Sequence, residues 1–275
     1  IYDRFEEKLF AGHPLTNPIL GSVKSVKEIT SEELRRFVKE KFVPEAMAFT
    51  IVADIDEKLM EAGLLKLVGK FFADFRPSGN GLVRPARVEL CNVFDEMISR
   101  KTHEANAVVG GYAPSLYEEK ERLATVLLSN ILAGPAMNSI LNSILREKHG
   151  WVYGVESSYT QYADTGILAI SLGCEKENLD RCLAAIDKEI LKLQTQELTE
   201  RKLNAAKKQL LGQLAISSDN GEAQCLSMGK SLLAYDKVWT GAETRSQIEG
   251  ITSGQIMEMA CRIFAPGKTS RLTMI

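Results

Sequence analysis

The sequence predicts an α+β fold of two related domains, with an antiparallel-rich sheet and helices packed on one of its faces, and three observations lead there. The first is an internal repeat. Residues 29–44 read ITSEELRRFVKEKFVP and residues 251–266 read ITSGQIMEMACRIFAP, with Ile, Thr, Ser, Phe and Pro at matching offsets. The second is that strand-like and helix-like runs come in blocks and do not alternate one for one, a pattern of helices laid on a sheet face. The third is size. The chain has 275 residues, 45% hydrophobic and 25% charged, enough for two ordinary cores and too apolar for a disordered chain.

Each copy of the repeat opens with a capping box, Thr30 with Glu33 and Thr252 with Gln255, and stops before a proline, Pro44 or Pro266. A strand-like run follows each, Met47–Ala53 and Arg271–Ile275. Cap, terminator and strand shared together favour duplication over chance likeness of two amphipathic helices.

In order, the first half reads helix 1–10, helix 31–42, strand 47–55 and helix 56–75, with Leu59, Leu64, Leu67, Val68 and Phe71 as apolar positions. A stretch rich in Arg, Pro, Ser and Gly follows from Arg76 to Pro85, then an extended crossover over 86–98. The second half reads strand 105–112, helix 117–133, helix 136–147, strands 152–161 and 165–173, and helix 176–194. Leu168, Ile170 and Leu172 alternate to one face of the second of those strands. Long helices near 199–216 and 221–235 lead to the repeat helix and a closing strand.

The domain division is therefore 1–76, a linker 77–100, and 101–275. The second copy, starting near Thr102, reaches its repeat segment after about 150 residues, whereas the first reaches it after 28. The first domain is thus expected to be incomplete by roughly 120 residues and the chain to be a fragment. Its apolar faces then need a cover, either a missing N-terminal segment or a homo- or hetero-dimer partner.

Thirty-four basic and 36 acidic residues leave a net charge of −2, no field to recruit nucleic acid or an anionic membrane. No apolar run approaches the ~20 residues of a membrane span. Five single cysteines, Cys91, Cys174, Cys182, Cys225 and Cys261, read as free thiols of a reducing compartment such as the cytoplasm. His13, His103 and His149 are far apart, so a zinc site built from this chain alone is not expected. Glu6-Glu7 and Glu118-Glu119 read as solvated faces, and Ser157-Ser158 lacks a nucleophile-elbow context. Gly110-Gly111 lacks a dinucleotide fingerprint, and strand 167–172 is a candidate for peptide binding by edge addition.

Several segments resemble one family. Phe10-Ala-Gly-His-Pro-Leu, Pro18-Ile-Leu-Gly, Ile29-Thr-Ser-Glu-Glu-Leu and Phe42-Val-Pro are similar to the first domain of the pitrilysin-like M16 zinc metallopeptidases. Leu145-Arg-Glu-Lys-His-Gly-Trp-Val-Tyr-Gly-Val is similar to an L-R-E-K-x-G-x-x-Y-x-V segment of their second domain. The resemblance covers nearly the whole chain and implies two related α+β domains. It also implies zinc held by H-x-x-E-H on a helix, whose Glu activates the bound water. No H-x-x-E-H occurs here, and the corresponding helix of the second copy carries Leu127-Leu-Ser-Asn-Ile131. Zinc is therefore expected in an intact parent, none in this chain, and the chain alone is expected to be inactive.

By the same resemblance Arg146 and Tyr153 are the catalytic and substrate-binding pair that reaches toward the zinc site. A phenol donates to an oxyanion and a guanidinium orients substrate carbonyls. On residue type alone a structural role is the stronger reading: Arg near a helix C-terminus suits the macrodipole, and a strand Tyr usually packs. The function implied is the C-terminal portion of a zinc-dependent peptidase, acting on peptides and supplying a substrate-binding wall. The alternative is a non-catalytic partner subunit working beside a zinc-bearing one.

Overall fold

The computed structural model describes residues 1–71, 84–100 and 102–275; most of the expected linker at 76–85 lies outside them. In chain order the elements are α1 Tyr2–Leu9, α2 Val23–Glu28, α3 Ser31–Lys41, α4 Glu57–Phe71, β1 Asp95–Ile98, β2 Glu104–Ala113 and α5 Glu119–Ala133. A π-helical turn, Asn142–Lys148, precedes β3 Val152–Gln161 and β4 Gly166–Glu175. Then come α6 Leu179–Thr195, α7 Glu200–Ser218, α8 Gly221–Tyr235, α9 Gly241–Glu249, α10 Ser253–Phe264 and β5 Ser270–Met274. Both expected capping boxes form. Thr30 and Thr252 each accept from the backbone three residues on, and Glu33 and Gln255 each reach back to the cap N–H.

Contacts group the chain into two compact units, one of residues 1–20, 85–211 and 243–275, the other of 21–84 and 212–242. This grouping follows packing and does not coincide with the linear division at 76 and 100.

The larger unit is a five-stranded mixed sheet in the order β1-β5-β2-β4-β3, antiparallel except where β1 runs beside β5. Strand alternation sends Ala105, Ala107 and Val109 of β2 and Leu168, Ile170, Leu172 and Cys174 of β4 into one core with α5, α6 and α10. The long helices thus occupy one face, as the blocks of sequence imply. The intervening residues Val108, Ile167, Ala169 and Leu272 point the other way and are covered by Phe5, Leu9 and Phe10 of the α1 segment. That segment is clasped by polar contacts as well. Lys8 pairs with Glu96 at 2.7 Å, and Asn92 Nδ2 donates to the Ala11 carbonyl at 2.7 Å.

Three expectations change on this frame, for 167–172, Glu118 and Glu6, and a physical reason for Gly110-Gly111 emerges. β4 lies between β2 and β3, so 167–172 is interior and has no free edge to offer a peptide. Glu118 is half-buried and fully engaged: its carboxylate meets Arg87 and Arg262, each at 2.5 Å, and accepts from the Ser115 N–H at 2.7 Å. Glu6 likewise accepts from the Tyr162 hydroxyl at 3.1 Å. Gly110-Gly111 answers to packing: a Cβ on Gly110 would lie 2.5 Å from the Leu168 carbonyl, and one on Gly111 2.6 Å from that of Ile263.

In the smaller unit none of the described residues is buried. Residues 47–53, expected as a strand, form none. A strand exists only against a neighbour that shares its N–H and C=O groups, and this segment instead meets α8. There the Thr50 hydroxyl donates to the Cys225 carbonyl at 2.9 Å and the Cys225 thiol to the Thr50 carbonyl at 3.3 Å. Leu59, Leu67, Val68 and Phe71 of α4 stay exposed. Helices α2 and α9 were not legible as separate elements; α2 carries a short capping box of Ser22 and Ser25.

Candidate functional site

Arg146 and Tyr153 are placed by one local structure in the larger unit. Where a helix was expected over 136–147, the chain turns at 135–139 and then winds as the π-helical segment 142–148. A π-turn admits one more residue per turn than an α-helix and is found disproportionately at functional sites. Its start is tied down by Asn142, buried at 8% exposure. The Asn142 carboxamide donates to the Gly134 carbonyl at 3.2 Å and to the Ser139 hydroxyl at 2.9 Å.

Its end is a glycine C-cap. Gly150 sits at φ +62°, its N–H donates to the Arg146 carbonyl at 3.0 Å, and the Trp151 N–H donates to the Leu145 carbonyl at 2.8 Å. Each bond spans one residue more than the corresponding 5→2 and 6→1 bonds of a Schellman motif, in keeping with the wider π-turn, and a left-handed residue there is cheapest as glycine. Trp151 packs against the same core that holds Leu145. The chain then enters β3 at a bulge. Val152 faces Cys174 and Gly154 faces Gly173, so Tyr153 is the extra residue between them. A bulge re-aims the side chain it carries.

Both side chains point outward. Arg146 is exposed and Tyr153 is 58% exposed. Neither makes a side-chain hydrogen bond or ion pair among the described residues. Partial desolvation, then the negative charges of Glu175 and Glu104, push the Tyr153 phenol above its usual pKa. It therefore keeps its proton at neutral pH and remains a donor. Glu104 and Glu175 face each other across β2 and β4.

Other singled-out residues prove structural. Ser157 accepts at its carbonyl from the Ser129 hydroxyl, 3.2 Å away. His13 caps the 14–16 turn through Nδ1, which accepts from the Leu15 N–H at 3.3 Å, leaving Nε2 to donate to Asp164 at 3.1 Å. Among the described residues no three His, Cys, Asp or Glu converge as a set that could hold a metal ion. Leu127, Leu128 and Ile131 of α5 are buried in the core. The described residues therefore do not fit a zinc ion. Sequence reading missed Asn142 and the Trp151–His149 pair; the only signal available for the turn was the glycine at 150.

Comparison with known proteins bears on the family and the fold. An uncharacterized zinc protease of Streptomyces coelicolor is 26% identical over 270 residues, covering 94% of this chain and 57% of that protein. A protease from Helicobacter pylori superposes with a TM-score of 0.81 at 15% identity, over 99% of this chain and 65% of the other. The peptidase M16 inactive domain from Pseudomonas fluorescens gives a TM-score of 0.79 at 20% identity, over 99% and 64%. At those identities the structures show the fold alone. The chain thus spans less than two thirds of the length of the relatives it matches. Residues 28–210 match the family model described as the peptidase M16 inactive domain, and by that match the chain belongs to the M16 peptidase family.

Proposed function

We propose that this chain is the substrate-facing portion of an M16-type zinc-dependent peptidase, with zinc held by residues outside this stretch. What supports the reading is that Arg146 and Tyr153, an exposed cation and an exposed phenol, make no side-chain hydrogen bond or ion pair among the described residues and yet flank one hydrogen-bonded turn. A structural arginine would be expected to pair with a carboxylate, and a structural tyrosine to bury its ring. In this reading the guanidinium orients carbonyls of a bound peptide. The Tyr153 hydroxyl donates to the oxygen that gains negative charge as the peptide carbonyl becomes tetrahedral.

Peptide hydrolysis by the full-length protein tests this. Tyr153→Phe lowers kcat about tenfold or more with little change in KM, because the oxyanion exists only near the transition state. Arg146→Ala also raises KM, because carbonyl orientation already acts in the ground state. The exposed Tyr153 hydroxyl makes no hydrogen bond among the described residues, so Tyr153→Phe leaves stability within about 0.5 kcal/mol. Wild-type turnover in Tyr153→Phe removes the catalytic role. A full-length protein that binds peptide without hydrolysing it favours a non-catalytic partner subunit.

A further inference from the structure

We propose that His149 is a positioning residue for the Arg146–Tyr153 pair, acting through its ring stack on Trp151; this rests on the function proposed above. The imidazole lies over the indole with centroids 4.1 Å apart and planes 12° from parallel. The two rings flank Gly150, the left-handed residue of the turn. Apart from its chain neighbours His149 and Trp151, nothing lies within 4 Å of where a Cβ on Gly150 would stand. Backbone bonds close the turn, from the His149 and Gly150 N–H groups to the Arg146 carbonyl and from the Trp151 N–H to that of Leu145, and the ring stack is the side-chain contact that bridges it.

Trp151 is fixed by the core, whereas His149 is exposed and makes no side-chain hydrogen bond among the described residues. The stack thus ties the helix C-cap residue to a core-anchored indole. Arg146 enters this turn and Tyr153 leaves it. Loosening Gly150, the residue with the widest conformational freedom, spreads the relative positions of the two side chains. A site whose groups must meet one substrate loses rate in proportion to the competent fraction. Aromatic pairs are worth enough to change such a population by about two- to tenfold.

The test uses the full-length protein and an unstructured peptide. His149→Ala is expected to lower kcat/KM about two- to tenfold with an unchanged thermal midpoint, and His149→Phe to restore it by restoring the stack. In an Arg146→Ala/Tyr153→Phe background, His149→Ala is expected to have no further effect, since the residue acts only through that pair. On the 275-residue chain, amide exchange at Gly150 and Trp151 is expected to quicken in His149→Ala. Unchanged kinetics, failure of His149→Phe to rescue, a fully additive loss in the double background, or unchanged exchange would each overturn the proposal. If Arg146→Ala and Tyr153→Phe are silent, the site reading falls and this proposal with it. If they act and His149→Ala is silent, only this proposal falls.

Discussion

Asn142→Ala is the sharpest test of how the site is held. The carboxamide is 8% exposed and spends both of its N–H groups, one on the Gly134 carbonyl that ends α5 and one on the Ser139 hydroxyl. Truncation leaves a buried carbonyl short of a donor, a cost of about 1–3 kcal/mol. Losing the packing of three heavy atoms brings the total to roughly 2–4 kcal/mol. With a urea slope of about 1–3 kcal/mol per molar, the midpoint of unfolding falls by roughly 1–2 M. Asn142→Asp has the right shape but no donors and sets a carboxylate against a carbonyl, so it is expected to cost at least as much. The assay is urea unfolding followed by circular dichroism. If both variants stay within about 0.5 kcal/mol of wild type, the two bonds do not anchor the turn and the account of how Arg146 is placed is wrong.

Gly110→Ala is expected to prevent stable folding, since its Cβ would sit 2.5 Å from the Leu168 carbonyl and 2.9 Å from the Ala169 Cα, both backbone atoms of the neighbouring strand; a soluble variant with a native melting temperature refutes this. Burial, followed by the charge of Glu6, pushes the Tyr162 phenol up to about 12. Because the folded pKa is raised, this stabilisation is complete below the unfolded value near 10 and is lost as pH climbs from there to about 12. Tyr162→Phe should flatten that alkaline loss, and an identical pH profile in both proteins counts against it. Elemental analysis of the purified 275-residue chain after dialysis is expected to find far less than one zinc per chain, as the absence of a converging ligand set among the described residues implies; retained stoichiometric zinc refutes this.

What the sequence determined by itself is what short-range chemistry decides. Thr30 with Glu33 and Thr252 with Gln255 close their capping boxes because both partners lie within one helical turn. Leu168, Ile170 and Leu172 share a face because strand periodicity is a property of the backbone. The resemblance around Leu145 to Val155 pointed to Arg146 and Tyr153 without any coordinates. Tertiary structure decided which partner each segment finds. Met47–Ala53 has the composition of a strand and meets a helix instead. Strand 167–172 is interior because β3 covers its other side, and α1 covers the outer sheet face because Val108, Ile167 and Leu272 leave an apolar surface there. Glu118 is an ordinary surface glutamate until Arg87 and Arg262, 31 and 144 residues away, are brought to it. Hydrogen-bond and charge partners that far apart have no sequence spacing to betray them; only the packing of the sheet and its helices brings them within reach.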